Sequence, residues 1–405
     1  MSRLIVQKFG GTSLGDVQRI KNVAQRVVSY VKKKNRVVVV VSAMGGTTDE
    51  LISLAKKINS SASEREMDML ISTGEQISSA LIAMAIHKKG FDAISFTGQQ
   101  VGIITDTYHT QAKILQVRTR RIKEELRKGK VVIVAGFQGI SIHREITTLG
   151  RGGSDLSAVA LAVSLCADLC EIYTDVEGIY TADPRIVPEA KKMPSITFDE
   201  MLELAARGAQ VMQTRAVEVA KKFNIPLHVR SSLSNKEGTM IISGATIIEK
   251  PVVRGVALTE SEAKITVCDV PDKPGIAADI FTELASAGIN VDMIVQNVSH
   301  KKITDISFTV PLAVLKKTLK ISKEIAEKIK APYVIVDDNI AKVSIVGVGM
   351  KSHTGVAAKC FFVLARNKIN IEMISTSEIS ISCIVKKRQG KSALRALHKA
   401  FELDK

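Results

Sequence analysis

The chain has 405 residues, enough for two or three domains, and with no Trp and only 4% aromatic residues its cores must be aliphatic. Its formal net charge of +16 raises nucleic-acid binding as a reading. The basic residues, however, are spread over predicted helix faces (32–34, 118–130, 316–330 and 386–399) without interleaved aromatics to stack bases, so a solvated surface with some steering of anionic substrates fits better. The five cysteines (Cys166, Cys170, Cys268, Cys360, Cys383) form no C-x-x-C pair and are expected to be reduced and buried. The histidines lack ligand spacing, so no protein metal site is expected. The N-terminus enters a strand with no signal peptide, and no apolar run approaches the ~20 residues of a membrane span, so a soluble, cytoplasmic protein is expected.

The apolar strand Leu4–Val6 leads into K-F-G-G-T-S, Lys8 to Ser13, and a helix is predicted from near Leu14 to near Tyr30. Two glycines at a strand-to-helix corner let an anion approach the backbone, and a helix N-terminus and Lys8 supply positive charge. The lysine precedes the glycines, so this is not a Walker loop. Val37–Val41 is a continuous β-branched run, suited to a parallel strand buried on both faces. It ends in S-A-M-G-G-T-T-D, Ser42 to Asp49, a second Gly-Gly corner with a helix from Glu50 capped by Thr47 or Thr48. M-L-I-S-T-G-E-Q, Met69 to Gln76, opens a helix to about His87 with Glu75 in its first turn, where it either favours the helix dipole or holds a ligand ammonium. A strand is predicted around Ile94–Phe96, a helix over Thr110–Arg127 and a strand over Val131–Ala135.

L-G-R-G-G-S-D, Leu149 to Asp155, is the third Gly-Gly corner, before a helix over Leu156–Leu165. Arg151 offers a planar donor for carboxylate or phosphate, and Asp155 could orient Lys8 or meet a metal-bound phosphate. After a strand at Cys170–Tyr173, the loop T-D-V-E-G-I-Y-T-A-D-P-R, Thr174 to Arg185, is too dense in Asp, Gly and Pro for a mere connector. Helices over Phe198–Arg207 and Gln213–Lys222 and a strand at Leu227–Arg230 complete this half, with a boundary placed near 244–250. Beyond it, Pro274–Ile294 repeats as Thr354–Ile374, about 80 residues later, which suggests two paired modules. Each reads strand, Gly corner, helix, an I-N-[VI]-[DE]-M-I strand and a second helix (about Leu312–Ile329 and Ser392–Leu403), the order of a ferredoxin-like βαββαβ fold. An unmatched strand, Arg254–Leu258, precedes the first copy.

As a set, these motifs resemble the amino-acid kinase superfamily and, within it, the aspartokinase family, over the whole chain. The resemblance implies an α/β amino-acid kinase fold (residues 1–245) with a parallel-rich central sheet covered by helices. Two ACT domains follow (265–335 and 336–405), the second completed by a strand from about 250–262. It further implies transfer of phosphate from ATP, with nucleotide-bound Mg2+, to the side-chain carboxylate of L-aspartate, giving 4-phospho-L-aspartate. This is the first step toward lysine, threonine and methionine. By similarity, Lys8 meets the transferring phosphoryl group, Gly10 and Gly11 offer it backbone N–H groups, and Asp155 orients Lys8. The nucleotide positions are Lys8, Phe9, Gly10, Gly11, Thr174, Asp175, Tyr180, Asp183, Arg185, Gln210 and Val211. Gln210 stands where many relatives carry a lysine. The substrate positions are Thr48, Glu75, Arg151, Gly152, Gly153 and Ser154, with Arg151 on a carboxylate and Glu75 on the ammonium.

The resemblance to ACT modules implies effector sites at Asp272, Lys273, Pro274, Gly275, Ile276, Ala277, Asn290, Val291, Asp292 and Gln296. In the second copy they fall at Val356, Ala357, Asn370, Ile371, Ser377 and Glu378. The effectors implied are lysine and/or threonine, and the ACT domains imply homo- or hetero-oligomers. The alternatives are a kinase for another carboxylate such as glutamate or N-acetylglutamate, an amino-acid sensor with weak catalysis, an ACT pair that serves only as a dimerisation platform, and a nucleic-acid binder resting on charge alone.

Overall fold

The computed structural model describes residues 2–208, 211–244, 252–296, 303–351 and 353–405. Gln210 therefore lies outside the described residues. The chain divides into two compact units. The first comprises 1–179, 192–205 and 210–248, and the second 180–191, 206–209 and 249–405.

In the first unit the elements run β1 (Leu4–Phe9), α1 (Val17–Lys32), β2 (Arg36–Val41), α2 (Thr47–Ile58), α3 (Glu64–Ile71), α4 (Thr73–His87), β3 (Ala93–Phe96), β4 (Ile103–Thr105), β5 (Ile114–Val117), α5 (Arg120–Arg127), β6 (Val131–Ala135), β7 (Gln138–Ser141), β8 (Ile146–Thr148), α6 (Gly153–Leu165), β9 (Leu169–Thr174), β10 (Ser195–Thr197), α7 (Phe198–Ala206, whose last residue falls in the second unit), α8 (Thr214–Phe223), β11 (Leu227–Ser231) and β12 (Thr239–Ile242). The main sheet has the order β10-β12-β11-β9-β1-β2-β6-β3. Its centre is parallel, with Phe9 level with Val41 on one side and Tyr173 on the other. Val37 to Val41 are all buried, as a strand covered on both faces requires. On one face, α1 and α4 pack Val23, Val27, Ile82 and Ile86 against Phe9, Val39 and Ile133.

The expected helix over Thr110–Arg127 is corrected: its first half is strand β5, and α5 starts only at Arg120. β5 pairs antiparallel with β4, which pairs with β7, and β7 with β8, in a small second sheet of very short strands. Such strands exist through pairing across the chain rather than through local propensity. Cys166 also departs from expectation. It is exposed, ending α6 at φ 53°, while the other four cysteines are buried and all five are free. The run Glu64–His87, α3 and α4 joined at Ser72, is against expectation long and apolar enough to span a membrane by length and composition. Half of its apolar stretch is buried inside the protein.

The second unit continues with β13 (Gly255–Thr259), β14 (Glu262–Pro271), α9 (Ile276–Ser286), β15 (Ile294–Gln296), β16 (Ile303–Pro311), α10 (Leu315–Ile329), β17 (Tyr333–Asp337), β18 (Ile340–Val346), α11 (Val356–Arg366), β19 (Met373–Thr376), β20 (Ser380–Lys386) and α12 (Gly390–Ala400). One sheet has the order β15-β16-β14-β17, the ferredoxin-like arrangement of a βαββαβ module. The other is β13-β18-β20-β19, in which β13, from ahead of the first module, takes the fourth-strand position. The I-N-[VI]-[DE]-M-I segments are mostly connector, since the strands begin at Ile294 and Met373.

Candidate active site

The C-terminal ends of the parallel strands β1, β2, β6 and β9 are where an open α/β sheet offers a crevice. Successive side chains of β1 point to opposite faces. Phe9 stacks on Tyr173 with ring centroids 4.6 Å apart and planes 6° from parallel. Lys8 turns the other way, and its Nζ lies 2.6 Å from Asp155 Oδ1 in the first turn of α6. Both side chains are largely shielded from water, which strengthens their attraction and fixes the ammonium in place.

Three corners close around this pair. Gly11 must lack a side chain, because a Cβ there would lie 2.9 Å from the Ala43 carbonyl oxygen. Gly152 sits at φ +74°, and its Cβ would meet the Gln213 Cβ at 2.9 Å. The anion-facing helix is not α1, as the sequence suggests. A short 3-10 turn, Gly11–Leu14, intervenes, and the Asp16 carboxylate caps α1 through the Arg19 N–H. Helices α2 and α6 instead start from left-handed Gly46 and Gly152 without side-chain caps; the Thr47, Gly153 and Asp155 N–H groups already donate to the Met44, Gly150 and Gly152 carbonyls, so it is chiefly the positive end of each dipole that faces a ligand. Thr47 and Thr48 are therefore helical residues and not caps, with Thr48 half-buried. A second correction concerns Gly10, whose N–H donates to the Tyr173 carbonyl at 3.2 Å and is not free for phosphate.

Glu75 lies in the first turn of α4 and is 3% exposed. Its Oε1 accepts the Ala43 N–H at 3.0 Å, while Oε2 is buried without a hydrogen-bond partner among the described residues. Burial, only partly offset by backbone hydrogen bonds, raises its pKa to about 7. Among the described residues no cation is paired with this carboxyl. Ser154, Gly153 and Asp155 are buried, whereas the Arg151 side chain is exposed. Behind Phe9, Glu171 collects Gln7 Nε2 (2.7 Å), Tyr30 OH (2.8 Å) and Tyr173 OH (3.1 Å). Burial alone would raise the Glu171 pKa, but hydrogen bonds from His228, Gln7 and Tyr30 and the Arg230 charge outweigh it and hold the carboxylate ionised.

Thr174 and Asp175 follow β9, with Thr174 Oγ1 donating to Asp175 Oδ1 at 3.0 Å, and Val211 is half-buried. In the second unit, Arg185 forms a two-pronged pair with Asp183 (Nε–Oδ1 3.0 Å, Nη2–Oδ2 2.8 Å), and Tyr180 begins that segment. Asp272, Lys273, Pro274 and Gly275 form the exposed approach to α9, which Ile276 and Ala277 begin. Asn290, Val291 and Asp292 lead into β15, which ends at Gln296. Val356 and Ala357 start α11, Asn370 and Ile371 precede β19, and Ser377 and Glu378 form its turn to β20. Asp292 is already engaged, by Arg207 Nη1 at 3.1 Å and by the buried Lys342, which also meets Glu262 at 2.5 Å. Sequence reasoning missed Gln213, Arg215, Asp68, Ala43 and Lys342, since each, even Ala43 inside the second Gly-Gly corner, matters through what folding brings beside it.

A profile of the amino acid kinase family matches residues 3–231, and ACT domain profiles match 264–327 and 343–401. The aspartokinase of Corynebacterium glutamicum is 52% identical over 405 residues, covering 99% of this chain and 96% of that protein. E. coli aspartokinase III in complex with aspartate and ADP, in the R-state, is 26% identical and superposes with a TM-score of 0.82 over 98% of this chain and 99% of that one. The same E. coli enzyme in complex with lysine and aspartate, in the T-state, gives 0.75 at 26% identity over 99% and 100%. This chain belongs to the amino acid kinase family, as an aspartokinase with C-terminal ACT domains.

Proposed function

We propose that this protein transfers the γ-phosphoryl group of ATP to the side-chain carboxylate of L-aspartate, giving 4-phospho-L-aspartate and ADP. The observation that carries the reaction class is the shielded Lys8–Asp155 pair at the end of β1. Phosphoryl transfer asks for positioning and charge neutralisation more than for covalent help. A carboxylate oxygen of the substrate attacks the γ-phosphorus, the bond to the bridging oxygen breaks, and ADP leaves with its electron pair. No general base is needed, because that carboxylate is already ionised at neutral pH. Lys8 meets the charge on the transferring group, and Asp155 holds the lysine in place.

The uncapped starts of α2 and α6 add positive potential. Glu75, a buried carboxyl with an open oxygen, takes the substrate ammonium, and Arg151 takes a substrate carboxylate. Thr48, Gly152, Gly153 and Ser154 complete the substrate set, and Thr174 and Asp175 receive the nucleotide. Magnesium arrives as part of the substrate MgATP, neutralising phosphate charge. Among the described residues no three metal-ligating side chains gather into a cage of their own.

The ACT modules bind amino-acid effectors, lysine or threonine, and join copies of the chain into oligomers. The support is the paired βαββαβ sheets and the lysine complex named for the E. coli relative. ATP and free amino acids are cytoplasmic substrates, and we place the enzyme there. ADP release from MgATP with L-aspartate, L-glutamate and N-acetylglutamate in parallel tests the substrate. Turnover with aspartate alone is expected, and preference for another acid would reassign Glu75 and Arg151.

A further inference from the structure

The loop that carries Arg151 is held from one side by the start of α8. Gln213, the residue ahead of that helix, donates its side-chain Nε2–H to the Arg151 carbonyl at 2.9 Å. Its backbone N–H reaches Asp155 Oδ2 at 3.3 Å. Two residues on, Arg215 donates Nη1 to the Leu149 carbonyl and Nη2 to the Ala112 carbonyl, each at 3.0 Å. The loop is thereby gripped at Leu149, before its turn, and at Arg151, within it. Gly152, between Arg151 and the helix, leaves no slack, since even a methyl there would strike Gln213. On the far side, the buried Asp68 accepts from the Thr110 N–H at 3.0 Å, from the Thr148 hydroxyl at 2.5 Å and from His109, and so fastens the strand end that feeds the loop.

The Gln213 amide can point only one way. The Arg151 carbonyl is purely an acceptor and must face the NH2 group. Gln213 Oε1 is then left buried with no partner among the described residues. An unpaired buried acceptor is costly, so a glutamine that merely stabilised the fold would be better replaced. An arginine held by two main-chain carbonyls is likewise a spacer of fixed length, not a charge partner.

We propose that Gln213 and Arg215 are positioning residues for the phosphoryl transfer. Arg215 sets the flank from which Arg151 meets the substrate carboxylate. Gln213 ties that loop to Asp155 and, through Asp155, to Lys8. Carboxylate recognition and the phosphoryl-facing cation are thus held in one register. This rests on the roles given above to Arg151 and Asp155.

The test is steady-state kinetics of the full chain, with separate KM values for aspartate and ATP, on Gln213→Ala, Gln213→Pro, Arg215→Lys, Arg215→Met and Arg151→Ala. Gln213→Ala and Arg215→Met should raise the aspartate KM by about 10-fold or more while the ATP KM moves by less than about 3-fold, because a loop displaced by a fraction of an ångström loses its alignment. Arg215→Lys keeps the charge but cannot span both carbonyls, so it should stay impaired. Gln213 has φ −70°, which proline accepts, so Gln213→Pro also removes the N–H to Asp155 and should lower kcat below that of the alanine variant.

Folded alanine and methionine variants with an unchanged aspartate KM, beside an impaired Arg151→Ala, would overturn the inference and spare the site. Equal loss of both substrates together with a lowered melting temperature would reduce these residues to structural ones and also overturn it. An unaffected Arg151→Ala would remove the site assignment, and this inference with it.

Discussion

Glu75 carries its charge at a cost while no ligand is bound. Its pKa of about 7 lies above the ordinary carboxyl value because burial penalises the ionised form. The folded state therefore holds a proton that the unfolded chain has released, and stability falls as pH rises from about 4.5 to 7, by about 3 kcal/mol at this one group. A substrate ammonium placed against Oε2, as proposed, would reverse that penalty. Accordingly kcat/KM for aspartate should rise with pH through about 7, and Glu75→Gln should flatten that limb, weaken aspartate binding and raise the melting temperature at pH 8. A pH profile for kcat/KM with no inflection near 7 would separate Glu75 from the ammonium. Lys8→Ala should lower kcat by roughly 100-fold or more with the fold intact, as for loss of a charge contact that tightens in the transition state. At this scale the sequence was informative for Lys8 and Asp155, each beside a Gly-Gly corner, and for Glu75, a carboxyl in the first turn of a helix. It could not reveal that the Gly10 N–H is committed to Tyr173, because that bond joins strands far apart in sequence.

The crevice is made by helix starts, and a change at one corner is felt at the next. Gly11→Ala would push a methyl against the Ala43 carbonyl, and the same residue's N–H holds Glu75. Its expected effect is an aspartate KM raised at least about 5-fold with a stability loss of roughly 1–3 kcal/mol, the range for overpacking. Comparing melting curves and kinetics of the variant checks both. The long periodic helices and the buried valine strand were legible because burial pattern and period agree over many residues. β4, β5, β7 and β8 were not, since each has three or four residues and takes its state from pairing partners. The uncapped start of α2 was misread for a related reason. A threonine beside Gly-Gly suggests a cap, but the left-handed glycine had already turned the chain into the helix.

In the second unit the internal repeat announced two modules of one fold, and the sheets have that form. What the repeat could not show is the charge layer between them. Lys342 of β18 is fully buried and bridges Glu262 and Asp292, and Lys264 meets Glu372 at 2.5 Å. Lys342→Met should cost about 3 kcal/mol, the price of stranding two carboxylates, and should alter the effector response while Lys8 and Asp155 are untouched. Urea melts and lysine and threonine titrations check the two halves of that expectation.

The proposed reaction places a phosphoryl group on the aspartate side chain. Its most direct measurement is trapping of the product with hydroxylamine, which converts an acyl phosphate to a hydroxamate, after incubation with MgATP and L-aspartate. Hydroxamate in amounts equal to the ADP released, absent without aspartate and reduced by lysine with threonine, is the predicted result. ADP release without aspartyl hydroxamate would contradict it.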